Sequence, residues 1–397
     1  MLWAISFFNY ADRQAIFSVF PLLEKQLGLN TVQLGMLGSA FAWVYGVGGQ
    51  FAGLVVDRVR RKSAILGGLF AWSAICMGTS LFNSFRGLFA MRAAEGLGET
   101  FYYPASMSLL SDYHGAATRS KAIGIHQTSV YVGTIAGGAV AGLIAQTYGW
   151  RWSFVIFGSL GILLGIVLSF SLAEPRRGAA ELVNAPPAVR VPVLAAIKTV
   201  WATPTAIFLM AAFLCANFVA VVLLSWMPKF VYDRYHMSLA LAGFTATIYV
   251  QLASMVGSLC GGWFADALRR RTPAGRILVQ TFGVFGGAPF VALCGLTGSA
   301  AWLVFALTAW GFFKGLYDAN IFASLFDVIR PEVRGTAAGF MNTVGWFGGG
   351  GTAPILIGII ASRESLGIAI AWASFVYVAA GLLLISAGLC SRRDSTL

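Results

Sequence analysis

Long apolar runs separated by short polar breaks extend along almost the whole chain. A membrane-spanning helix needs roughly 20 mostly apolar residues, and we count twelve runs of about that length. The runs cover residues 3–23, 32–56, 63–82, 87–110, 120–147, 152–172, 203–229, 238–265, 276–296, 300–326, 335–361 and 366–390. The pattern predicts an all-α membrane protein with twelve transmembrane helices.

The basic residues in the breaks predict the orientation of these helices. The even-numbered breaks and the C-terminal tail are rich in Lys and Arg. The odd-numbered breaks carry only Lys25, Arg86, Arg151, Lys229, Arg234 and Arg363. Because cytoplasmic loops carry an excess of Lys and Arg, we expect both termini to be cytoplasmic.

The longest break, "AEPRRGAAELVNAPPAVRVPV", is polar and rich in Pro and Ala. It separates six predicted helices from the next six. We therefore expect an N-terminal bundle at residues 1–172, a cytoplasmic linker at residues 173–202 and a C-terminal bundle at residues 203–397.

The composition agrees with a multi-pass protein of the inner cell membrane. The 397 residues are 58% hydrophobic and only 11% charged, whereas soluble chains carry about 25% charged residues. The net charge of +12 is spread over the breaks, so we expect no nucleic-acid partner. The five cysteines form no CxxC pair, which predicts neither a metal site nor a disulfide framework. We expect no cofactor, and we expect a monomer.

Two sequence patterns occur once in each half. "GLVVDRVRRK" begins at Gly53 and "GWFADALRRR" at Gly262. "RSKAIGIHQTSVYVG" begins at Arg119 and "RGTAAGFMNTVGWFG" at Arg334. Parallel repeats with a site at their interface are typical of transporters.

An aspartate among arginines at the end of a helix, present twice, suggests a conformational switch on the cytoplasmic side. Its residues would be Asp57 and Arg61 in the first half, and Asp266 and Arg270 in the second. The basic residues alone are equally consistent with simple membrane topology.

Seven charged residues lie inside the predicted spans and away from their ends, and such a charge costs about 2.5–3.5 kcal/mol at the membrane centre. They are Asp12, Arg13, Arg92, Glu95, Glu99, Lys314 and Asp318. Such residues need a polar cavity, mutual pairing or both.

Three of these charges lie on one stripe of the fourth predicted helix. Arg92, Glu95 and Glu99 are spaced i, i+3, i+7, and they extend over about 10 Å. One interpretation is an ion pair between Arg92 and Glu95 that has a structural role only. The functional one makes Glu99 the proton site, with Arg92 as its counter-charge or as an anchor for an anion.

The other charges lie in the first and tenth predicted helices. Asp12 and Arg13 are about 100° apart around the helix axis, so we expect Arg13, with Tyr10, to face a cavity and Asp12 to face the fourth helix. Lys314 and Asp318, at i, i+4, either neutralise each other or serve a site. The Arg119/Arg334 register places Lys314 at the position equivalent to Glu99.

"GLVVDRVRRK" and "GWFADALRRR" resemble the paired loop motif of the major facilitator superfamily. The resemblance covers essentially the whole chain. It implies two six-helix bundles, a central cavity and transport by alternating access.

A closer resemblance is to the anion:cation symporters, which include bacterial sugar-acid/proton symporters and sialin-like carriers. It rests on Tyr-x-Asp-Arg in the first helix, Ser-Ala-Phe-Ala-Trp-x-Tyr in the second, and Arg92, Gly96, Glu99 and Pro104 in the fourth. The resemblance implies that Asp12 and Glu99 are protonatable. It also implies that Tyr10, Arg13 and Arg92 engage a substrate carboxylate or couple to the acids, and that Asn342 contacts substrate hydroxyls.

The sequence departs from that family at several positions. Val130 stands where a Gln usually meets the sugar, while His126 and Gln127 add polar groups. Glu95, a further candidate for proton coupling, replaces a small polar residue. Lys314, Tyr317 and Asp318 follow no family pattern, and we retain them as candidate substrate residues. "GLGE" in the fourth helix also resembles the Spinster-type lipid carriers.

The sequence therefore predicts a secondary active transporter that couples protons to the symport of a small organic anion, a carboxylate such as a sugar acid. The alternatives are a Spinster-like carrier of lysolipids or related lipids, and a proton-coupled exporter. An enzyme is disfavoured because no HExxH, GxSxG, P-loop or paired Cys/His pattern occurs. A sensor on a transporter fold would bind ligand without moving it.

Overall fold

A computed structural model describes residues 1–56, 58–175, 193–272 and 274–394. Within these ranges every regular element is a helix, and no strand occurs. The all-α prediction is confirmed for this part of the chain. Asp57, one of the predicted switch residues, lies outside the described residues.

The described residues before the linker form eight helices. They are α1 (Leu2–Ser18), α2 (Phe20–Leu27), α3 (Thr31–Val56), α4 (Arg61–Thr79), α5 (Phe85–Thr100), α6 (Tyr102–Tyr113), α7 (Ala116–Tyr148) and α8 (Trp150–Ser171).

Nine further α-helices follow among the described residues from residue 193 onward, and the first of them lies within the predicted linker at residues 173–202. They are α9 (Val193–Trp201), α10 (Pro204–Tyr235), α11 (Leu239–Arg269), α12 (Gly275–Leu296), α13 (Ala300–Asp318), α14 (Ile321–Val328), α15 (Arg334–Thr343), α16 (Gly351–Ala361) and α17 (Leu366–Asp394). A π-helical segment, Val344–Gly350, joins α15 to α16.

Each of the twelve predicted apolar runs coincides with one helix or with consecutive helical segments. In the described part of the chain, eight segments are long and apolar enough to cross a membrane: Lys121–Tyr148, Trp150–Ser171, Pro204–Tyr235, Leu239–Arg269, Gly275–Leu296, Ala300–Val328, Arg334–Ala361 and Leu366–Ser391. The count of twelve spans and the cytoplasmic termini stay predictions.

Proline accounts for breaks in two of the predicted runs. α2 starts after Val19 with Pro21 in its first turn, and α6 starts after Phe101 with Pro104 in its first turn. Proline lacks the N–H that would continue a preceding helix, and its ring crowds the carbonyl four residues earlier. The first break lies beyond the charged pair of α1, and the second lies just beyond Glu99.

Glycines bring the helices that carry the predicted intramembrane charges, α1 and α5, into backbone contact with neighbouring helices. A Cβ on Gly96 of α5 would lie 2.6 Å from the Phe41 carbonyl oxygen of α3, closer than real Cβ atoms approach. A Cβ on Gly133 of α7 would lie 2.5 Å from the Phe7 carbonyl oxygen of α1. Small residues at membrane-helix interfaces permit this close approach. Glycine therefore positions α5 against α3, and α7 against α1.

The chain divides into two compact units. The first comprises the described residues of Met1–Pro187 and Met227–Thr247, and the second those of Ala188–Trp226 and Ile248–Leu397. Residues 227–247 group with the first unit although they follow the predicted linker. There, the buried Lys229 forms ion pairs with Glu24 of α2 and with Asp233.

Candidate functional site

Five charged side chains are buried together in the first unit. They are Asp12 and Arg13 of α1, and Arg92, Glu95 and Glu99 of α5, each less than one tenth exposed. The sequence predicts that all five are involved in proton coupling or substrate binding, and the structure shows how four of them are paired. We call these five residues the buried charge group.

Arg13 is the partner of Glu99. Its Nη2 and Nε atoms donate hydrogen bonds to the same Glu99 oxygen, Oε2, at 2.6 Å and 3.2 Å. Its Nη2 atom also lies 3.4 Å from Asn9 Oδ1, one helical turn away on α1. The direct ion-pair partner of Glu99 is therefore Arg13, and not Arg92 as the sequence suggested.

Arg92 instead forms an ion pair with Glu95, three residues along α5. This is the local pair that the i, i+3 spacing allowed. Both side chains are almost completely buried, so this contact is shielded from water. The two guanidinium groups of the buried charge group are thus each engaged by a glutamate.

Asp12 differs from the other two acids. Neither of its carboxylate oxygens accepts a hydrogen bond from any residue that the structure describes, and both oxygens are buried. The charges that act on it are those of Glu95, Glu99 and Arg92. With all groups ionised, three carboxylates face two guanidinium groups, which leaves one negative charge in excess.

Three aromatic rings surround the guanidinium of Arg13. Its Cζ atom lies 4.7 Å from the ring centre of Tyr10, 4.5 Å from that of Phe41 and 4.8 Å from that of Tyr45. Such contacts stabilise a cation by an amount that grows as water is removed. Tyr10 was predicted at this site, whereas the contacts of Arg13 with Phe41 and Tyr45 were missed. The signal was the i, i+4 spacing of Phe41 and Tyr45 in the Ser-Ala-Phe-Ala-Trp-x-Tyr pattern, which places them on one face of α3.

His126 takes part in a different buried contact. Its Nε2 atom lies 2.9 Å from the Tyr102 hydroxyl, which donates to the Leu2 carbonyl oxygen at 2.7 Å. Neither of these hydrogen bonds involves the buried charge group, and Gln127, the next residue, is exposed. His126 and Gln127 stay candidate substrate residues.

The candidate substrate residues of the second unit lie on α13 and α15. Lys314 and Asp318 of α13 form the i, i+4 ion pair that the sequence allowed. Tyr317, between them, is almost fully buried, and its hydroxyl has no hydrogen-bond partner among the described residues. Asn342 is half-buried near the end of α15.

The π-helical segment after Asn342 was not predicted. Asn217 of α10 donates a hydrogen bond to the Gly345 carbonyl oxygen at 2.7 Å, and a Cβ on Gly349 would collide with the backbone of α10. π-helical turns occur frequently at functional sites. The run of glycines at residues 348–351 was the signal for this irregularity.

The predicted switch in the first unit is centred on Arg61. This side chain is 1% exposed, and it forms an ion pair with Asp112 at the end of α6. Its guanidinium also donates to the Pro175 carbonyl oxygen at 2.8 Å, and its backbone N–H donates to Glu174 at 2.8 Å. Arg61 therefore joins the start of α4, the end of α6 and the chain after α8.

In the second unit, Arg276 has the position of Arg61. It donates two hydrogen bonds of 3.0 Å to Asp327 and lies 3.4 Å from Asp266. Arg270, which the sequence predicted for this role, forms no ion pair among the described residues. The reason is a change of register: the loop motifs are offset by 209 residues, whereas Arg61 and Arg276 share the 215-residue offset of Arg119 and Arg334.

The second repeat is preserved atom for atom. Arg119 donates to the carbonyl oxygens of Ser111 and His114 at 3.1 Å and 3.2 Å. Arg334 donates to the carbonyl oxygens of Phe326 and Ile329 at 2.8 Å and 3.3 Å. These acceptors are again 215 residues apart, so the internal repeat of the sequence is also a repeat of structure.

Comparison with known proteins identifies the family. A sequence model of the Major Facilitator Superfamily matches residues 2–354. The chain belongs to the Major Facilitator Superfamily. It is therefore a multi-pass membrane transporter, and the prediction that it is not an enzyme is confirmed by its relatives.

Two curated relatives are similar to this chain over most of its length. The probable galactarate/D-glucarate transporter GudP of Escherichia coli (strain K12) is 26% identical over 387 residues, which cover 91% of this chain and 85% of that protein. Protein spinster homolog 1 of Bos taurus is 26% identical over 386 residues, which cover 91% of this chain and 72% of that protein.

A solved structure has the same fold. It is a bacterial homolog of the human lysosomal transporter Spinster in an inward-facing and unoccupied conformation, with a TM-score of 0.83 and 22% sequence identity. The match covers 100% of this chain and 95% of that one. The predicted major facilitator fold is confirmed.

Proposed function

We propose that this transporter couples protons to the symport of a small organic anion by alternating access. The observation that carries the proposal is the buried charge group, in which three acids are combined with two arginines. Burying a charge without a partner is costly, so the excess carboxylate favours uptake of one proton. The arginines supply the chemistry to bind a carboxylate, because a guanidinium matches its geometry with two hydrogen bonds.

The pairing of Arg13 with Glu99 supplies the coupling. While Glu99 is ionised, it holds the donors of Arg13 that point toward it. A proton on Glu99 removes that attraction and leaves the guanidinium available for a substrate carboxylate. The aromatic rings of Tyr10, Phe41 and Tyr45 keep Arg13 in place during the exchange.

Charge balance predicts that one proton is transported with each carboxylate of the substrate. A monovalent anion adds one negative charge to the buried charge group, and one proton cancels it. The buried charge group without ligands and the same group with anion and proton bound then carry the same net charge. Neither form therefore places an additional charge in the membrane. A dicarboxylate would require two protons by the same argument.

The remaining predictions define the wider proposal. Residues 1–172 and 203–397 form two six-helix bundles, residues 173–202 form the linker, and both termini are cytoplasmic in the inner membrane. Lys314, Tyr317, Asp318 and Asn342 contribute the substrate contacts of the second unit. The active form is a monomer.

A lipid carrier is the second candidate. It is supported by the similarity to protein spinster homolog 1 and by "GLGE" at residues 96–99. The same arginines would then bind the phosphate of a lysolipid. A proton-coupled exporter would use the same charge group with the opposite direction of net flux.

Uptake into proteoliposomes tests the proposal. We expect D-glucarate, the substrate class that the name of the Escherichia coli relative suggests, to accumulate when the outside is acidified. A protonophore should abolish accumulation, and sodium should have no effect. The comparison experiment uses the same proteoliposomes with labelled lysophosphatidylethanolamine as the probe, and it tests the lipid-carrier alternative.

The outcomes separate the candidates. Proton-driven accumulation of D-glucarate or another small carboxylate supports symport, and accumulation in acid-loaded vesicles identifies an exporter. Movement of the lysolipid alone would favour the lipid carrier. Sodium-driven uptake that is independent of pH would contradict proton coupling altogether.

A further inference from the structure

Two cavities of the second unit meet at Arg271. One is a polar cavity of about 380 Å³ lined by Arg269, Arg270, Arg271, Arg276 and Asp327, among others. The other is an apolar groove of about 730 Å³ on the side of α11, α12 and α13. Arg271 is the residue that lines both.

The polar cavity has more positive than negative charge. Arg269 and Arg276 are held by Asp327, at 2.5 Å and 3.0 Å. Arg270 and Arg271 form no ion pair within the part of the chain that the structure describes, and both are exposed. The first turn of α12 also lines the cavity, and the positive end of the helix dipole favours an anion there. The cavity therefore suits a negatively charged group.

The apolar groove is lined by aromatic side chains that remain exposed. Trp263 is 69% exposed and Phe282 is 63% exposed, and Phe312 and Leu316 lie deeper in the groove. These residues belong to segments that are apolar enough to cross a membrane. Hydrocarbon from the bilayer is therefore the environment that this groove meets.

We propose that the two cavities together bind an acidic phospholipid of the predicted cytoplasmic leaflet. The phosphate lies between Arg270 and Arg271, and one acyl chain lies along Trp263 and Phe282. Basic pockets between membrane helices on the cytoplasmic side bind anionic headgroups in this way. The site is separate from the buried charge group, and it does not depend on which substrate the protein transports.

Charge complementarity selects an acidic lipid over a zwitterionic one. In the polar cavity and its rim, four arginines, Arg269, Arg270, Arg271 and Arg276, face two acids, Asp266 and Asp327, which leaves two positive charges in excess. Phosphatidylglycerol offsets this excess with its net negative charge, whereas phosphatidylcholine brings its own cation. The adjoining groove selects a lipid over a water-soluble phosphate, because only the lipid buries an acyl chain.

Quenching of Trp263 fluorescence by brominated lipids tests the proposal. The full-length protein is placed in phosphatidylcholine nanodiscs that contain a minor fraction of lipid with brominated acyl chains. The signal of Trp263 is the difference between wild type and Trp263→Phe. We expect brominated phosphatidylglycerol to quench this signal at lower mole fraction than brominated phosphatidylcholine does.

The arginine variants then establish the headgroup site. Each arginine near an anionic headgroup contributes to binding, so Arg271→Gln should weaken the preference for phosphatidylglycerol about fivefold and Arg270→Gln/Arg271→Gln about 25-fold. The control is Arg58→Gln/Arg60→Gln, which removes the same charge from exposed residues of the first unit and should leave the preference unchanged.

Three results would overturn the proposal. Equal quenching by the two brominated lipids would show that the groove contacts bulk lipid only. Loss of the preference in the control variant would show a general effect of net charge. Competition by glycerophosphate as strong as that of phosphatidylglycerol would show that the groove contributes nothing.

Discussion

Arg13 makes the contacts that distinguish the buried charge group from a set of structural ion pairs. It holds one oxygen of Glu99 with two nitrogen atoms, and the other oxygen, Oε1, is buried without a hydrogen-bond partner among the described residues. Glu99 therefore keeps a buried position at which a proton can be added without breaking the bonds to Arg13 first. This geometry makes Glu99 the residue whose charge is most directly tied to Arg13.

We expect Glu99→Gln to uncouple transport from protons. The amide keeps the size of the protonated carboxyl but cannot exchange a proton, and it leaves two acids facing two arginines. In proteoliposomes the variant should retain counterflow of D-glucarate and lose accumulation driven by a proton gradient. Full accumulation by the variant would assign the proton to Asp12 or Glu95 instead.

Asp12→Asn should stabilise the protein at alkaline pH. The substitution removes a buried carboxylate that has no hydrogen-bond partner among the described residues, and an uncompensated buried charge is strongly unfavourable. Thermal unfolding in detergent should show a higher midpoint for the variant at high pH. The difference should shrink as the pH falls, because protonation removes the same charge from the wild type.

Glu95→Gln is the matched comparison for Asp12→Asn. It also removes one buried carboxylate, but it breaks the pair with Arg92, and losing one partner of a buried pair costs about 3–5 kcal/mol. The Glu95 variant should therefore unfold at lower temperature. If Asp12→Asn were as destabilising as Glu95→Gln at every pH, Asp12 would have a partner of equal importance.

The residues of the buried charge group could be predicted from the sequence, but their pairing could not. A charge in an apolar run is conspicuous wherever it occurs, because the membrane makes it costly. Local spacing also allowed the Arg92–Glu95 and Lys314–Asp318 pairs. Arg13 and Glu99 are 86 residues apart, and no local rule connects α1 to α5. Only the tertiary arrangement of the helices determines that contact.

At the scale of the helices, Gly96 determines how closely α5, with its two glutamates, packs against α3. α5 carries both glutamates of the buried charge group, and α3 carries Phe41 and Tyr45. Gly96 lets the two backbones approach until a Cβ would lie 2.6 Å from the Phe41 carbonyl oxygen and 3.3 Å from the Tyr45 nitrogen. The backbone of α3 cannot move aside as a flexible side chain can.

Gly96→Ala should therefore weaken both stability and anion binding. Overpacking of a well-packed contact costs about 1–3 kcal/mol, and the forced separation of α5 from α3 moves Glu99 relative to the aromatic rings around Arg13. Thermal unfolding and D-glucarate affinity measure the two effects. Gly49→Ala on α3 is the control, since no atom lies within 4 Å of its added Cβ; an equal loss in both variants would contradict the role of the contact.

The helices themselves follow from the apolar runs, whereas their interruptions do not. Length and hydropathy predict a span, and they contain no information about a π-helical turn or a one-residue break. The segment Val344–Gly350 depends on the approach of α10, whose Asn217 bonds to the Gly345 carbonyl oxygen. The one-residue breaks follow from Pro21 and Pro104. The π-helical turn depends on a contact between helices that are distant in sequence, which periodicity within one helix cannot reveal.

For the whole molecule, the internal repeat gives each unit an equivalent aspartate–arginine ion pair. Asp112 holds Arg61 in the first unit, and Asp327 holds Arg276 in the second. The sequence motifs located this region but assigned Arg270, because an insertion between the two repeat matches changes the register from 209 to 215 residues. The 215-residue register gives Arg276 as the equivalent of Arg61, and the paired contacts show that the structure follows this register.

These contacts predict that Asp327, rather than Asp266, dominates the switch in the second unit. The side chain of Asp327 accepts from both Arg269 and Arg276 and is 22% exposed, whereas the side chain of Asp266 is 70% exposed and has one contact at 3.4 Å. Exposed ion pairs contribute at most about 1 kcal/mol. Transport requires each conformation in turn, so weakening one of them lowers the turnover. We expect Asp327→Asn to slow D-glucarate counterflow about tenfold and Asp266→Asn less than about twofold.

Substrate affinity distinguishes a switch from a binding role. Neither aspartate belongs to the buried charge group, so binding measured by isothermal titration should remain at the wild-type value in both variants while the rates differ. Asp112→Asn provides the parallel test in the first unit, because it removes the partner of Arg61. A loss of affinity at an unchanged rate would make Asp327 a substrate residue. Equal rates in Asp327→Asn and Asp266→Asn would show that the arginine contacts do not determine the switch.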